Sequence, residues 1–387
     1  MNKQPDSTTI LGGLNTETFL SKYWQKKPLL IRNAWPDLKS PISAEELAGL
    51  ACEETVHARL VQEKHPQTPW HVSYSPFQEK DFLSLPESHW TLLVTDCEKH
   101  LPELRALIKP FRFIPDWRID DLMISYAADK GTVGPHVDQY DVFLLQLEGT
   151  RHWEISEQVL NKPECIDGLE LAILKDFEPD QNWEIKPGDL LYLPPGIPHH
   201  GVADGPCITA SIGFRAASKA DILRDYTDFI SARFTDSDRY SDPDLKSQKN
   251  PAEITPQSIH KFRQIIQSGC EIEDGFFSVW LGEMLTSTDE VPDTIVFNEK
   301  LFIDRYDSGE TLMHSPFARL AFIKDKSRVI LFANGEHYTL DLSLLTNVET
   351  LCEKKTFSIP DFNTNHVDQW NDLLSTLFKK QVIEFES

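Results

Sequence analysis

Apolar positions along this chain change their period three times, and each change marks a different kind of element. The first forty residues carry a helix and a strand: Glu17 to Trp24 has helical apolar spacing, and Pro28-Leu29-Leu30-Ile31-Arg32 reads as a buried strand. Ser43-Ala44-Glu45-Glu46 is a capping box that opens a short helix. His71 to Ser73 and Thr91 to Thr95 read as strands. From about 120 to 215 short apolar runs follow one another closely. They are Leu122–Tyr126, Val142–Leu147, His152–Ile155, Trp183–Ile185, Asp189–Leu193 and Cys207–Ile212. Turns at Gly131, Gly134-Pro135, Gly149, Pro187-Gly188 and Pro194-Pro195-Gly196 separate them. Short strands at such spacing predict a sandwich or barrel.

From about 216 the period becomes helical. Ala220 to Ile230, Pro256 to Gln267 and Phe276 to Leu285 carry apolar stripes, and 235–250 is polar and charged. Those stripes need one another, the barrel or a second subunit to cover them. The last hundred residues read as a further unit. Arg328 to Leu340 is a hairpin with Asn334-Gly335 at its turn, and Val367 to Phe378 is an amphipathic helix. Helices plus a hairpin fit a winged-helix arrangement. The expected division is therefore 1–215, 216–289 and 290–387, in keeping with a chain of 387 residues.

Composition adds exclusions. No run of about 18 apolar residues occurs, so no membrane span is expected. The first residues lack the apolar region and cleavage site of a secretory signal, which points to the cytoplasm. Six dispersed cysteines form no C-x-x-C pair, so no zinc ribbon or dithiol motif is suggested. The net charge of -23 repels nucleic acid and attracts cationic partners. Residues 291–387 hold 15 Asp/Glu against 10 Lys/Arg, a net of -5, which argues against a DNA-gripping C-terminal unit.

The candidate chemistry lies in two segments of the barrel region. In a strand, His136 and Asp138 of His136-Val137-Asp138 would point to one face and could take adjacent positions on one metal. Such an imidazole–carboxylate pair suits Fe(II), Mn(II) or Zn(II). The second segment, Lys186-Pro187-Gly188-Asp189 through Pro194-Pro195-Gly196-Ile197-Pro198-His199, launches a strand, turns it back and begins the return with a histidine. An inward His199 would complete a face of two histidines and one carboxylate, with open positions for substrate and dioxygen. Its neighbour His200 would point the other way, and alternation alone barely separates the two.

Gly134-Pro135-His136-Val137-Asp138-Gln139-Tyr140-Asp141-Val142-Phe143 and Leu193-Pro194-Pro195-Gly196-Ile197-Pro198-His199 resemble the JmjC-type cupin oxygenases, and most closely the bacterial ribosomal oxygenases. Phe19 to Ile31 is similar to the lead-in of that family. The resemblance spans nearly the whole chain and is weak after about 290. It implies a mainly β catalytic core, a double-stranded β-helix, followed by an α-helical dimerisation region and an α+β winged-helix-like C-terminal domain. It implies His136, Asp138 and His199 as Fe(II) ligands, 2-oxoglutarate and dioxygen as cosubstrates, and Arg151 as the cation for the distal carboxylate of 2-oxoglutarate. Ser125 matches a family position near cosubstrate or substrate, and Ser211 could lie near the pocket. The implied reaction is hydroxylation of a basic large-subunit ribosomal protein, on arginine, by a cytoplasmic homodimer that does not bind DNA directly. Alternatives are another side chain as target, N-demethylation, or a non-catalytic metal-binding cupin.

Overall fold

The structure is a computed structural model that describes residues 4–288, 299–362 and 367–386. The chain divides into two compact units, 1–216 and 217–387. The expected boundary at 290 lies outside the described residues.

The first unit is built on ten strands: β1 (Leu29–Ile31), β2 (Ala58–Glu63), β3 (Trp70–Tyr74), β4 (Trp90–Val94), β5 (Ile119–Ala127), β6 (His136–Val137), β7 (Asp141–Ile155), β8 (Gln181–Ile185), β9 (Leu190–Leu193) and β10 (Pro198–Phe214). Their order is β1-β9-β7-β10-β5-β4-β2-β3, with β6 on β10 and β8 on β7. Two strands the sequence divides are continuous. Val142–Leu147 and His152–Ile155 are both part of β7, and β10 begins nine residues before Cys207. These two long strands pair antiparallel throughout, His199 opposite Ile155 and Phe214 opposite Asp141, with a register shift between Asp204 and Ile208. Each therefore changes neighbours partway along while remaining in the one ten-stranded sheet. The first half of β7 and the second half of β10 lie between β9 and β5; the other halves lie between β8 and β6. Gly149 makes the corner possible. Its φ is +66°, and a Cβ there would stand 2.2 Å from the Pro206 carbonyl oxygen.

The two faces of the larger sheet bury different things. Leu122, Ile124, Phe143, Leu145, Ile208 and Ile212 belong to a core shared with the N-terminal helices, through Phe19, Leu47, Leu104 and Phe111. Val142, Leu144, Trp153, Ile155, Leu191 and Leu193 form a separate cluster inside the barrel. Covering on both faces explains why β7 starts as a continuous apolar run rather than an alternating one. Ser43 and Glu46 form the expected capping box of the helix Ala44–Leu50.

The second unit contains helices Lys219–Ser231, Pro256–Gly269, Asp274–Thr286, Glu299–Asp307, Leu345–Glu353 and Val367–Lys379. Two three-stranded sheets accompany them: β11 (Leu312–His314) between β15 (Thr356–Phe357) and β16 (Ile383–Phe385), and β12 (Leu320–Lys324), β13 (Arg328–Ala333) and β14 (Glu336–Asp341). Asn334 and Gly335 take φ of +48° and +80° at the β13–β14 turn, the pair of positive values that a two-residue hairpin with an Asn-Gly turn requires.

Candidate metal centre and cosubstrate pocket

The triad forms where two motif segments are stitched together. β6 is only two residues long and pairs His136 with His199 across β10. Asp138 lies one residue beyond β6, and its carbonyl accepts a hydrogen bond from Gly196 N–H at 2.8 Å. The turn of Pro194-Pro195-Gly196 is thus fastened to the H-x-D loop. The loop between β7 and β8 fastens both from outside, Leu174 N–H donating to Pro135 O and Leu160 N–H to Gly196 O, each at 2.8 Å.

One ligating atom from each of His136, Asp138 and His199 falls within 4.8 Å of the others. His136 Nε2 is 3.8 Å from Asp138 Oδ1, and His199 Nε2 is 3.6 Å from Asp138 Oδ2. Each imidazole is fixed from behind, His136 Nδ1 at 2.9 Å from Gly134 O and His199 Nδ1 at 2.9 Å from Ile197 O. An Nδ1–H that donates to a carbonyl leaves Nε2 with its lone pair turned to the shared point, the usual arrangement behind a metal-bound histidine. Burial, and next the charge of His136, push His199 down to about 4, so its imidazole is neutral and able to ligate. His199 is buried, whereas His136 and Asp138 are partly open, so the face looks toward an opening. Two nitrogens and one carboxylate with open positions fit a non-haem Fe(II).

His200 is turned away. Its Nδ1 is 3.0 Å from Glu154 Oε2, the residue opposite it on β7.

Arg151 lies on the half of β7 that faces the triad from within the barrel, opposite Ala203. It is 4% exposed, and its guanidinium rests 5.2 Å from the Trp153 ring, which in turn lies 5.8 Å from the His199 ring. Nη2 donates to Gly201 O at 3.3 Å, and Nε has no partner. Burial pulls its pKa down, and among the described residues no carboxylate offsets that. Position 201 must be small for this packing: a Cβ there would be 2.8 Å from Arg151 Nε and from the Trp153 ring. Trp153 Nε1 is also buried without a partner. A buried cation with an orphaned donor is costly unless an anion completes it. The pocket therefore fits a carboxylate reached from the metal face across Trp153.

Ser125 and Ser211 are both buried on the interior side of the larger sheet. Ser125 Oγ donates to Thr209 O at 3.4 Å, and Thr209 Oγ1 donates to Gln146 Oε1 at 3.0 Å. Sequence reasoning omitted Gln146, Thr209 and Trp153, which have no local signature. It also left the lead-in unexplained. Gln25 Nε2 and Tyr192 Oη donate to the buried Asp141 at 2.9 and 2.6 Å, so the Trp24-Gln25-Lys26-Lys27 segment pins the start of β7, three residues after Asp138.

Comparisons with known proteins agree with this geometry. A family model described as "JmjC domain" matches residues 106–222, and one described as "AraC-like ligand binding domain" matches 178–274. The chain is 37% identical to "Ribosomal protein uL16 3-hydroxylase" of Escherichia coli (strain K12), covering 84% of this chain and 85% of that one. It is 31% identical to the "Probable ribosomal oxygenase" of Haemophilus influenzae, covering 84% and 82%. The solved structure of YcfD, a ribosomal oxygenase from Escherichia coli, superposes with a TM-score of 0.81 at 33% identity, over 97% of this chain and 98% of that one. Its complex with cobalt and 2-oxoglutarate superposes with a TM-score of 0.81 at 33% identity, over 97% and 99%. With a JmjC-type barrel, a 2-His-1-carboxylate cluster and these relatives, the chain belongs to the bacterial ribosomal oxygenase family.

Proposed function

We propose that this protein is an Fe(II)- and 2-oxoglutarate-dependent protein hydroxylase whose target is an arginine of a large-subunit ribosomal protein, uL16 being the first candidate. The observation that carries the cosubstrate part is the alignment along one wall of the barrel of the triad, Trp153 and the buried, anion-seeking Arg151. When bound, Fe(II) with 2-oxoglutarate and dioxygen supplies oxidative decarboxylation to succinate and carbon dioxide, coupled to insertion of an oxygen atom into a C–H bond.

The chain's own groups bind, orient and exclude water. His136, Asp138 and His199 hold the metal. Arg151 can grip the distal carboxylate with a guanidinium fork, setting both charge and direction. Ile155, Ile185, Leu191 and Leu193 keep the interior dry. Ser125, within the Thr209–Gln146 chain, borders the same interior.

The substrate part leans on charge and kinship. A chain of net charge -23 favours a basic polypeptide and disfavours DNA. Asp121, on the same face of β5 as Ser125, is an acid that burial, then neighbouring Asp120, pushes up to about 7, and its field reaches Tyr140, beside Asp138. A guanidinium or ammonium placed there would restore its charge.

The helical stretch 216–289 would serve as the dimerisation region and 290–387 as a separate C-terminal domain. The helix Pro256–Gly269 buries none of its residues, and Ile259, Phe262 and Ile266 are exposed along it. No helix among the described residues is long and apolar enough to cross a membrane. A cytoplasmic homodimer is the expected state.

The deciding test is incubation of purified protein with Fe(II), 2-oxoglutarate and uL16, read by mass spectrometry. A gain of about 16 Da on one arginine, with succinate formed in step, is expected for hydroxylation. Unchanged mass together with unchanged 2-oxoglutarate would defeat the reading. Loss of a methyl group from a methylated peptide would move it to demethylation.

A further inference from the structure

The interior of the barrel holds an unexplained polar group besides Arg151 and Trp153. Thr91, the second residue of β4, is 0% exposed, and its Oγ1 has no hydrogen-bond partner. Its direction follows from the register. Leu92 and Val94 belong to the core on the outer face, together with Ile124 and Ala210. Thr91 alternates with them and so faces inward. It stands between Val61 and Ala127, and Ala127 pairs with Cys207, so that one cross-strand row runs through Val61, Thr91, Ala127 and Cys207. Ala127 and Cys207 pack on Ala203, the partner of Arg151 on β10. Arg151 therefore springs from the strand position that pairs with a residue packed on this row.

Arg151, opposite Ala203, and Thr91, opposite Ala127, thus border the same small packed patch of the interior, and each carries a buried donor without a partner. Leaving a hydroxyl buried and unbonded destabilises a protein, and valine would fill the same space without that cost. A threonine here makes sense if a ligand accepts its hydrogen bond. On the side toward Arg151 its row continues through the small Ala127 and Cys207, which leave room for that ligand, while Val61 covers the other side.

We infer that Thr91 donates its hydroxyl to the distal carboxylate of 2-oxoglutarate, as a second anchor beside Arg151. This rests on the cosubstrate reading above. Arg151 supplies charge and Thr91 supplies a short, directional neutral bond. Together they fix which oxygen of the carboxylate faces which wall, and hence how far the chelating end reaches toward the triad.

The test is calorimetric titration of the full-length, metal-loaded protein without dioxygen, so that binding is read and not turnover. Two probes are used: 2-oxoglutarate, and oxalate, which can chelate the metal but has no distal carboxylate. Thr91→Val should weaken 2-oxoglutarate binding about tenfold, in the range for a lost bond to a charged group. It should leave oxalate binding unchanged. Thr91→Ser should bind 2-oxoglutarate within about twofold of wild type. The ligand-free Tm of Thr91→Val should equal or exceed that of wild type, since an unpaired buried hydroxyl is removed, while the Tm gain on adding 2-oxoglutarate should shrink.

Wild-type affinity for 2-oxoglutarate in Thr91→Val would overturn the inference and leave an internal water as the hydroxyl's partner. Equal weakening of both probes would overturn it as well, by assigning Thr91 to the packing of the site. A wild-type protein that binds oxalate but not 2-oxoglutarate would fail the cosubstrate reading itself and take this inference with it.

Discussion

The barrel and the helical stretch of the second unit are both unfinished, in opposite ways. Inside the barrel, polar groups are buried without partners: Thr91 Oγ1, Arg151 Nε and Trp153 Nε1. On the helices, apolar side chains lie exposed. Of the nineteen large exposed apolar residues described, eleven fall between Leu223 and Phe277. An orphaned donor in a dry interior asks for a small polar ligand. An apolar stripe in water asks for another protein surface. The difference teaches that a missing partner can be read by the sign of what it leaves uncompensated.

The strongest way to break this contrast is at the metal. Asp138→Ala should abolish tight Fe(II) binding and lower turnover by well over the about 100-fold typical of losing an outer-shell partner. Metal content and succinate formation measure it, and near-normal turnover would remove the site from its place in the argument. Next is Arg151→Met, which keeps the bulk and removes the charge. Losing paired, charge-assisted bonds should raise the KM for 2-oxoglutarate about 100-fold, with iron content retained. A KM unchanged in this variant would mean the orphaned Nε is only a structural feature.

The opposite side of the comparison is tested by Phe262→Asp with Ile266→Asp. Placing charges on the exposed stripe should convert a dimer to monomer by light scattering, since burying an unpaired carboxylate costs several kcal/mol. A wild-type monomer would show that the stripe has another use.

A smaller effect concerns pH. Burial pushes Glu98, whose Oε2 accepts from Leu122 N–H at 3.0 Å, up to about 7. The unfolded chain releases this proton near the usual glutamate value, and the folded chain holds it to about 7. Between those values the native state binds more protons, so stability falls as pH rises, by at most about 1.4 kcal/mol per pH unit for one group. Glu98→Gln should flatten this part of the unfolding curve between about pH 4.5 and 7, leaving the similar contribution of Asp121. A slope identical to wild type would contradict it. Smallest of all is His200→Ala. Its contact with Glu154 is a partly exposed pair worth about 0–1 kcal/mol, so iron affinity should change less than about fivefold. A large loss of metal would restore His200 as a candidate ligand.

Much of the layout was legible because it depends on neighbours in sequence. The capping box at Ser43, the Asn334-Gly335 hairpin and the helices near 220, 256 and 276 follow from local hydrogen bonding and from period. The Pro-Gly turns before β9 and β10 marked where strands begin. His136 and Asp138 were visible as a spaced pair, although Asp138 stands just outside a two-residue strand. Residue types and spacing suggested a site for a borderline metal ion, whereas Arg151 as the cation for a carboxylate came from the resemblance to the oxygenase family.

Tertiary structure decided the rest, for reasons of distance. His199 and His200 are adjacent and chemically identical; only the pairing of β10 with β6 and β7 turns one toward Asp138 and the other toward Glu154. Gln25 and Asp141 are 116 residues apart, and nothing local links them. Thr91 is an ordinary strand threonine in sequence. It becomes an orphaned donor only when β4 pairs with β5 and its side chain is buried opposite Ala127. Sequence sets which groups exist and their local period; burial and register, which are properties of the whole sheet, determine which of them are left needing a ligand.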